Sequence, residues 1–581
     1  METKDGLPPT SKNGAQPSQS IPVASSAAWR QTPSNKTTQQ PPPQPDEDEP
    51  RPPKMMLQPE TRPISQDQLV AEVKGIYAGL VMVETKCIEV DNAQSSNPDA
   101  NKLNNEQWQA LIALHRTLLH EHHDFFLASQ HPSASLPLRR LASKYAMPAR
   151  MWRHGIHSFL ELLRHRLPAS LEHMLTFLYL AYSMMALLYE TVPAFEETWI
   201  ECLGDLGRYR MAIEDDDIKD REVWTGVSQH WYSKASDQSS DTGRLYHHLA
   251  ILARPTALQQ LYYYAKSLCV PIPFPSARES IMTLFDPIFE SDPRHLSKVD
   301  AHFVRVHGIL FSGKGDDKML AVTTNEFLER LDKTIARSTK KWLEAGYFMG
   351  IATACSLLGY GTESNVLMIA MSQKSDETDV AMDGSSILET PPSKSFTQAL
   401  DFAVKTYDIV LRRWGDTNTL PYIHTILVFV WKMTQCPAGI SYLEKSFPWK
   451  LTMVMLNYLL DSCDFEPRMN GFPGPEKGDL PRPLPEDYAM RGITYAADYH
   501  PKDWFDNEKV DEDERYFELA SMTDQRKERI LYLGFEIAAQ GKWLTFDTEL
   551  KKFDVTPAYN VKIGDAIDHS LESTPDLTKS E

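Results

Sequence analysis

The stretch that decides the reading of this chain is Leu203–Ile281. It opens as LGDLGRYR (Leu203–Arg210), continues as GRLYHHLAILARPTALQQLYYYAKSL (Gly243–Leu268) and closes as CVPIPFPSARESI (Cys269–Ile281). The first piece reads as a helix that sets Arg208 beside Gly204 and Gly207. The second reads as two antiparallel helices with a short turn, and Ala250, Ala253 and Ala265 let such helices approach closely. HWYSKAS (His230–Ser236) and LYYYAKSL (Leu261–Leu268) repeat an aromatic pair before a Lys. Their spacing of about 32 residues is near the ~34-residue period of tetratricopeptide repeats. Together these pieces point to a protein that holds other molecules and does no covalent chemistry.

Helical patterning extends in both directions. Upstream, Ser65 is an N-cap followed by apolar residues from Leu69 to Ile88 on one face. Another helix carries Trp108 to Phe126, and a further one begins at Pro148, a residue suited to a first helical turn. Met174–Tyr189 is almost wholly apolar but falls short of the ~18–20 residues of a membrane span. It is expected to be a central helix buried on most sides. Downstream, Ala301–Phe311, Asn325–Leu358, Phe396–Trp414, Tyr422–Thr434, Trp449–Ser462 and Arg515–Trp543 read as helices. Val, Ile and Thr alternation is scarce, and no NG or DG turn joins alternating runs. The fold class is therefore all-α.

The Pro-, Gln- and Ser-rich residues 1–64 cannot bury enough apolar surface to order themselves and are expected to be disordered, as is the tail 557–581. Residues 65–290 and 291–556 make two helical regions, with a mobile loop at about 373–395. The Pro- and Gly-rich segment Glu466–Asp511 holds Trp504, Phe505 and several Tyr, so it is expected to pack along the array.

Composition narrows the function. Hydrophobic content of 42% supports a large core, and a net charge of -19 opposes a general nucleic-acid coat while permitting a local basic site. Six scattered cysteines without a CxxC pair read as reduced, buried thiols. No secretory signal is expected, and no GxSxG, Walker A loop or GxGxxG is present. The histidines of HRTLLHEHHDFF lack metal spacing, so they are read as a polar helix face, and Glu214–Asp217 lacks calcium-loop spacing. No metal, cofactor or enzymatic activity is expected.

A basic island stands out in this acidic chain. In PARMWRHGIHSFLELLRHRL (Pro148–Leu167), Arg150, Arg153, His157, Glu161 and Arg164 fall within an arc of about 80° at ~100° per residue. Arg139, Arg140, Lys144 and Arg166 lie nearby. Arg208 next to Tyr209 matches phosphate by bidentate hydrogen bonding. Ion pairs from Arg208 to Asp205 or Glu201 fit helical spacing equally well.

LGDLGRYR, HHLAILA and YYYAKSLCVPIPFPSARESI resemble the EST/SMG family, which comprises telomerase factors and adaptors of nonsense-mediated mRNA decay. The resemblance covers about Leu138–Pro287 and continues loosely through FPWKLTMVMLNYLL, LPEDYAMRGI and RILYLGFEIA. It implies a 14-3-3-like region, tetratricopeptide-like helices and a helical-hairpin extension. It also implies a phosphoserine pocket, with the family's Arg-Tyr pair on Arg208 and Tyr209, a second Arg on Arg164, His157 at the family's Lys, and His247 at a peptide-binding Asn. Arg150 or Arg153 would compensate for that missing Lys. The expected function is a nuclease-free adaptor that reads a phosphorylated RNA helicase and recruits mRNA decay factors, in cytoplasm and nucleus and without a membrane. The alternative is a telomerase-associated protein that binds telomerase RNA or single-stranded telomeric DNA. It would use the same island extended by Arg139, Arg140 and Lys144, with aromatics to stack bases.

Overall fold

The computed structural model describes residues 64–561 apart from 97–102, 215–216, 255, 291–295, 373–390, 476–479 and 508–513. The expected N-terminal disorder, most of the expected mobile loop and most of the C-terminal tail lie outside the described residues.

Local chemistry starts the helices where the sequence places them. Helix α1 (Gln66–Ser95) begins at Ser65 and α2 (Asn105–Ser129) at Asn104. Each N-cap side chain accepts from the N3 backbone, and Gln68 or Gln107 bonds back to the cap N–H. Helix α3 is one run of three parts: Met147–Arg150, a π-helical segment Met151–His157, and Ser158–Arg164. Ala146 precedes it in the left-handed conformation, and Pro148 sits in its first turn. Then come α4 (Leu171–Thr191), α5 (Glu196–Ala212), α6 (Ile218–Gln238), α7 (Gly243–Leu252) and α8 (Ala257–Leu268). α1 packs on α2, α5 on α6 and α7 on α8.

Two sequence expectations need correction here. Helix α4 has 21 residues, and among the described residues it is the one helix long and apolar enough to cross a membrane. It is not buried on most sides. A stripe from Met174 through Phe177, Ala181, Met184 and Leu188 is buried, while Tyr179 and Leu187 are exposed. The span Asn325–Leu358 is two helices. α9 (Asp317–Ser338) and α10 (Lys341–Leu357) are broken at Thr339, whose φ is +47°.

Further on, α11 (Lys394–Leu411), α12 (Leu420–Thr434), α13 (Trp449–Asp461) and α14 (Ser521–Ala538) build the C-terminal half. The all-α fold has a single exception among the described residues. Strands β1 (Leu544–Asp547) and β2 (Lys552–Val555) pair antiparallel, with Leu544 opposite Val555 and Phe546 opposite Phe553. This hairpin lies where helical structure was expected. Its strands are only four residues long, and its turn uses Lys551 at φ +46° instead of Asn-Gly or Asp-Gly. Phe553 stacks on Phe535 of α14, which holds the hairpin against the array.

The core forms one cluster from Leu69 to Leu206 and another from Ala250 to Val555. A small third cluster joins Ile200 of α5, Tyr232 of α6 and Leu245 of α7 to Val270, just after α8. Residues 250–290 thus share their packing with the C-terminal helices. The described residues of the segment rich in Pro and Gly pack along the array, burying Trp504, Tyr495 and Tyr499.

Candidate functional site

Glu161 is the point where the expected anion-binding residues meet. Arg164, one turn on in α3, donates to it through Nη2 at 2.6 Å and Nε at 3.1 Å. Tyr209 on α5 donates its hydroxyl to Glu161 Oε1 at 2.7 Å. The exposed His157 ring lies edge-on to Tyr209 at 6.4 Å between centroids. Arg164, then Tyr209, hold the Glu161 carboxyl below its ordinary range, against the upward push of burial. Burial, and then Glu161, push the Tyr209 phenol up.

Arg208 lies on the other side of Tyr209, with its guanidinium 5.9 Å from that ring. It donates to Asp205 at 2.9 Å and to Tyr232 at 3.4 Å. Tyr232 in turn donates to Asp205 at 2.5 Å. Gly204 and Gly207 make this possible, because α6 crosses α5 at that point. A Cβ on Gly204 would lie about 3.0 Å from the Tyr232 ring, and one on Gly207 3.2 Å from Ser228. His247 on α7 is buried against Phe274, and burial followed by the Arg208 charge lowers its pKa to about 4. It is neutral at pH 7.

The basic island is less available than its sequence suggests. Arg150 is half-buried in an ion pair with the buried Glu84 of α1 and has a second contact to Tyr77. It does not supply the missing Lys. Arg139 donates to the carbonyls of Pro132 and His131, and Arg166 to that of Gln94. Arg140, Lys144 and Arg153 stay exposed, and Lys144 lies over the Tyr145 ring at 5.6 Å. The π-helical segment explains the scatter. Its i→i+5 turns advance each residue by less than 100°, so Arg150 and Arg164 do not keep the relative rotation of a regular helix, and they pair with Glu84 and Glu161 respectively.

The histidines at 115 and 122 are not a polar face. Both are fully buried, and His115 bridges the Gly155 carbonyl (3.0 Å) and Asp91 (3.2 Å). Among the described residues no cluster of His, Cys, Asp or Glu could hold a metal ion.

Residues 228–499 match the family described as the Est1 DNA/RNA binding domain. The chain is 22% identical over 235 residues to EST/SMG-like protein 2 of Saccharomyces cerevisiae, covering 38% of this chain and 18% of that protein. It is 39% identical over 87 residues to telomerase-binding protein EST1A of Danio rerio, covering 15% and 5%. It is 27% identical over 142 residues to nonsense-mediated mRNA decay factor SMG7 of Danio rerio, covering 23% and 11%. Over residues 228–499, slightly less than half of its length, the chain is similar to EST/SMG proteins. It spans under a fifth of the length of these relatives. Arg164, Arg208 and Tyr209 precede the family-matched residues, and His247 lies within them.

Sequence reasoning missed the central part of Glu161. It placed that residue on the cationic arc without giving it a role. The i,i+3 spacings of Glu161 to Arg164 and Asp205 to Arg208 carried the signal.

Proposed function

We propose that this chain is a non-catalytic adaptor of the EST/SMG type that reads a phosphorylated serine at the Glu161 cleft. What carries the reading is that Arg164 and Tyr209, from separate helices, both donate to one carboxylate. That carboxylate stands where an anionic ligand would sit. A phosphate carries a charge of about -1.5 to -2 at pH 7 and three strong acceptors, so it outcompetes a singly charged carboxylate for the same donors. On binding, Glu161 swings to solvent and phosphate oxygens take its place. Arg208 lies across Tyr209, 32% exposed and already charged, positioned to lean over the peptide.

The proposed partner is a phosphorylated RNA helicase of the decay pathway, with the C-terminal helices recruiting decay factors in cytoplasm and nucleus. Similarity to a nonsense-mediated decay factor supports this assignment. The telomerase-associated alternative draws on the EST1A relative. It is weakened because Arg139, Arg150 and Arg166 of its basic surface are already engaged within the fold.

Fluorescence anisotropy with a labelled phosphoserine peptide tests the proposal. The Arg164→Glu, Tyr209→Phe double variant loses binding while its helical circular dichroism persists. Unchanged binding, or equal binding of the unphosphorylated peptide, overturns it.

A further inference from the structure

A second cleft, separate from Glu161, opens beside Lys266 of α8. It encloses about 270 Å³, and its walls include Tyr246 of α7, Tyr262 of α8, Asp237 of α6, and Tyr488 and Arg491. Lys266 is the unusual member of this group, because it is only 2% exposed. Its amine donates to the main-chain carbonyls of Ala489 at 2.9 Å and Tyr488 at 3.4 Å, and lies 4.2 Å from the centre of the Tyr246 ring. None of these partners carries a full negative charge. Tyr262 shares the Ala489 carbonyl, donating its hydroxyl at 2.9 Å.

The surroundings disfavour the ammonium form. Burial, then the Arg491 charge, lower Lys266 to about 7, against the opposing pulls of Asp237 and of Cys355 on α10. Asp237 is the carboxylate that lines this cleft, and two arginines hold it: Arg515 closely, and Arg491 loosely at 3.7 Å. The Arg491 guanidinium stacks over Phe505 at 4.6 Å, so it is fixed beside the cleft while its ion pair is slack. A buried amine and a guanidinium with spare donors therefore border the same space.

We propose that Lys266 reversibly adds dissolved carbon dioxide as a carbamate, with Arg491 as the counter-ion. The nitrogen lone pair attacks the carbon, a C–N bond forms, one C=O π pair moves onto oxygen, and one N–H proton leaves to solvent. No electron donor or acceptor and no leaving group is required. The product nitrogen keeps one N–H, enough for the Ala489 carbonyl, which also keeps Tyr262. The new carboxylate matches the planar donors of Arg491. Only a neutral amine is a nucleophile. An ordinary lysine near 10.4 has about one amine in a thousand neutral at pH 7.4, so surface lysines compete poorly for the same reagent. A thioester or other acylating agent would need room for its leaving group among the rings, whereas carbon dioxide is three atoms long.

Trapping of the full chain with triethyloxonium in carbon-13-labelled bicarbonate at pH 7.4, followed by peptide mass spectrometry, tests this. The labelled ethyl carbamate is expected on Lys266 in about tenfold or greater excess over any surface lysine, well inside the difference in neutral amine. At fixed dissolved carbon dioxide, the carbamate resonance in carbon-13 spectra falls as pH drops from 8 to 6, because the reactive amine is lost through about 7. Arg491→Gln lowers the trapped adduct several-fold, and that side chain is partly exposed, so its replacement leaves the fold intact. Lys266→Arg abolishes the adduct, with helical circular dichroism as its check on folding, and Arg164→Glu leaves it unchanged. The proposal is overturned if Lys266 carries no labelled adduct, if the label is spread evenly over surface lysines, or if Arg491→Gln traps as much as the parent.

Discussion

Arg526 and Glu486 face each other with both side chains fully buried, Nε to Oε1 at 2.7 Å and Nη2 to Oε2 at 3.0 Å. Arg526 belongs to α14, and Glu486 to the segment rich in Pro and Gly. His424 of α12 donates to the same carboxylate at 3.1 Å, and Glu518 takes the other side of the guanidinium. This network fastens an irregular segment to two core helices. Removing one partner leaves a buried charge uncompensated. Arg526→Met is therefore expected to cost about 3–5 kcal/mol of stability, read as a lowered urea midpoint.

Acid should weaken the same contact. Burial pushes the Glu486 carboxyl up, but Arg526 and His424 more than reverse that and hold it at about 2, below its ordinary 4.5. A depressed carboxylate contributes stability above its unfolded pKa and loses it as pH falls through the folded pKa. The stability gap between the parent and Glu486→Gln is expected to be full above pH 4.5 and to close towards pH 2. A gap constant over that window in denaturant titrations would count against the assignment.

Gly492 fixes the position of the neighbouring wall. Its φ is +84°, and a Cβ there would overlap the carbonyl oxygen of Ser240. Just beyond it, Thr494 donates to the Cys269 carbonyl at 3.0 Å. Gly492→Ala must move the backbone as well as strain it, for a cost of about 1–3 kcal/mol. Hydrogen exchange should rise at residues 488–496 and along the facing part of α6, while α1 and α2 stay protected. Uniform protection in the variant would mean the close approach is relieved without loss.

Glu161→Gln offers a direct reading of the first cleft. The amide keeps the shape but drops the charge that competes for Arg164 and Tyr209. Phosphoserine peptide affinity is expected to rise by about threefold to tenfold, since charge-assisted hydrogen bonds contribute ~1.5–3 kcal/mol each and only part of one competitor is removed. A drop in affinity would assign Glu161 to the bound state instead.

Much of this was legible in the sequence, and the misses have physical causes. Helices with strong caps, such as those at Ser65 and Asn104, announce themselves through short-range hydrogen bonding. The break at Thr339 does not, because a positive φ at a β-branched residue runs against that residue's own conformational preference. The convergence of Arg164, Tyr209 and His157 came from family resemblance combined with helical spacing. That Arg150 turns to Glu84 depends on the π-helical segment, and single-sequence periodicity assumes a constant turn. The tyrosine cleft was invisible for a further reason. Its walls come from residues more than two hundred positions apart, such as Lys266 and Tyr488.

His115 supports that π-helical segment and gives the last prediction. Its Nδ1 faces the Gly155 carbonyl at 3.0 Å. Its Nε2 lies 3.2 Å from Asp91, which also accepts from Ser158 at 2.6 Å. The ring stacks on Phe159 at 4.4 Å. These contacts tie α2 to a backbone carbonyl within the π-helical segment, just upstream of His157 and Arg164. In His115→Leu the carbonyl and Asp91 lose their buried partner, at a cost of about 1–3 kcal/mol. If the segment relaxes towards regular α-helix, Glu161 and Arg164 rotate away from Tyr209. Phosphoserine peptide affinity then falls several-fold although no group that touches the peptide has changed. A variant that is less stable but binds like the parent would show that the turn shapes the core without positioning the cleft.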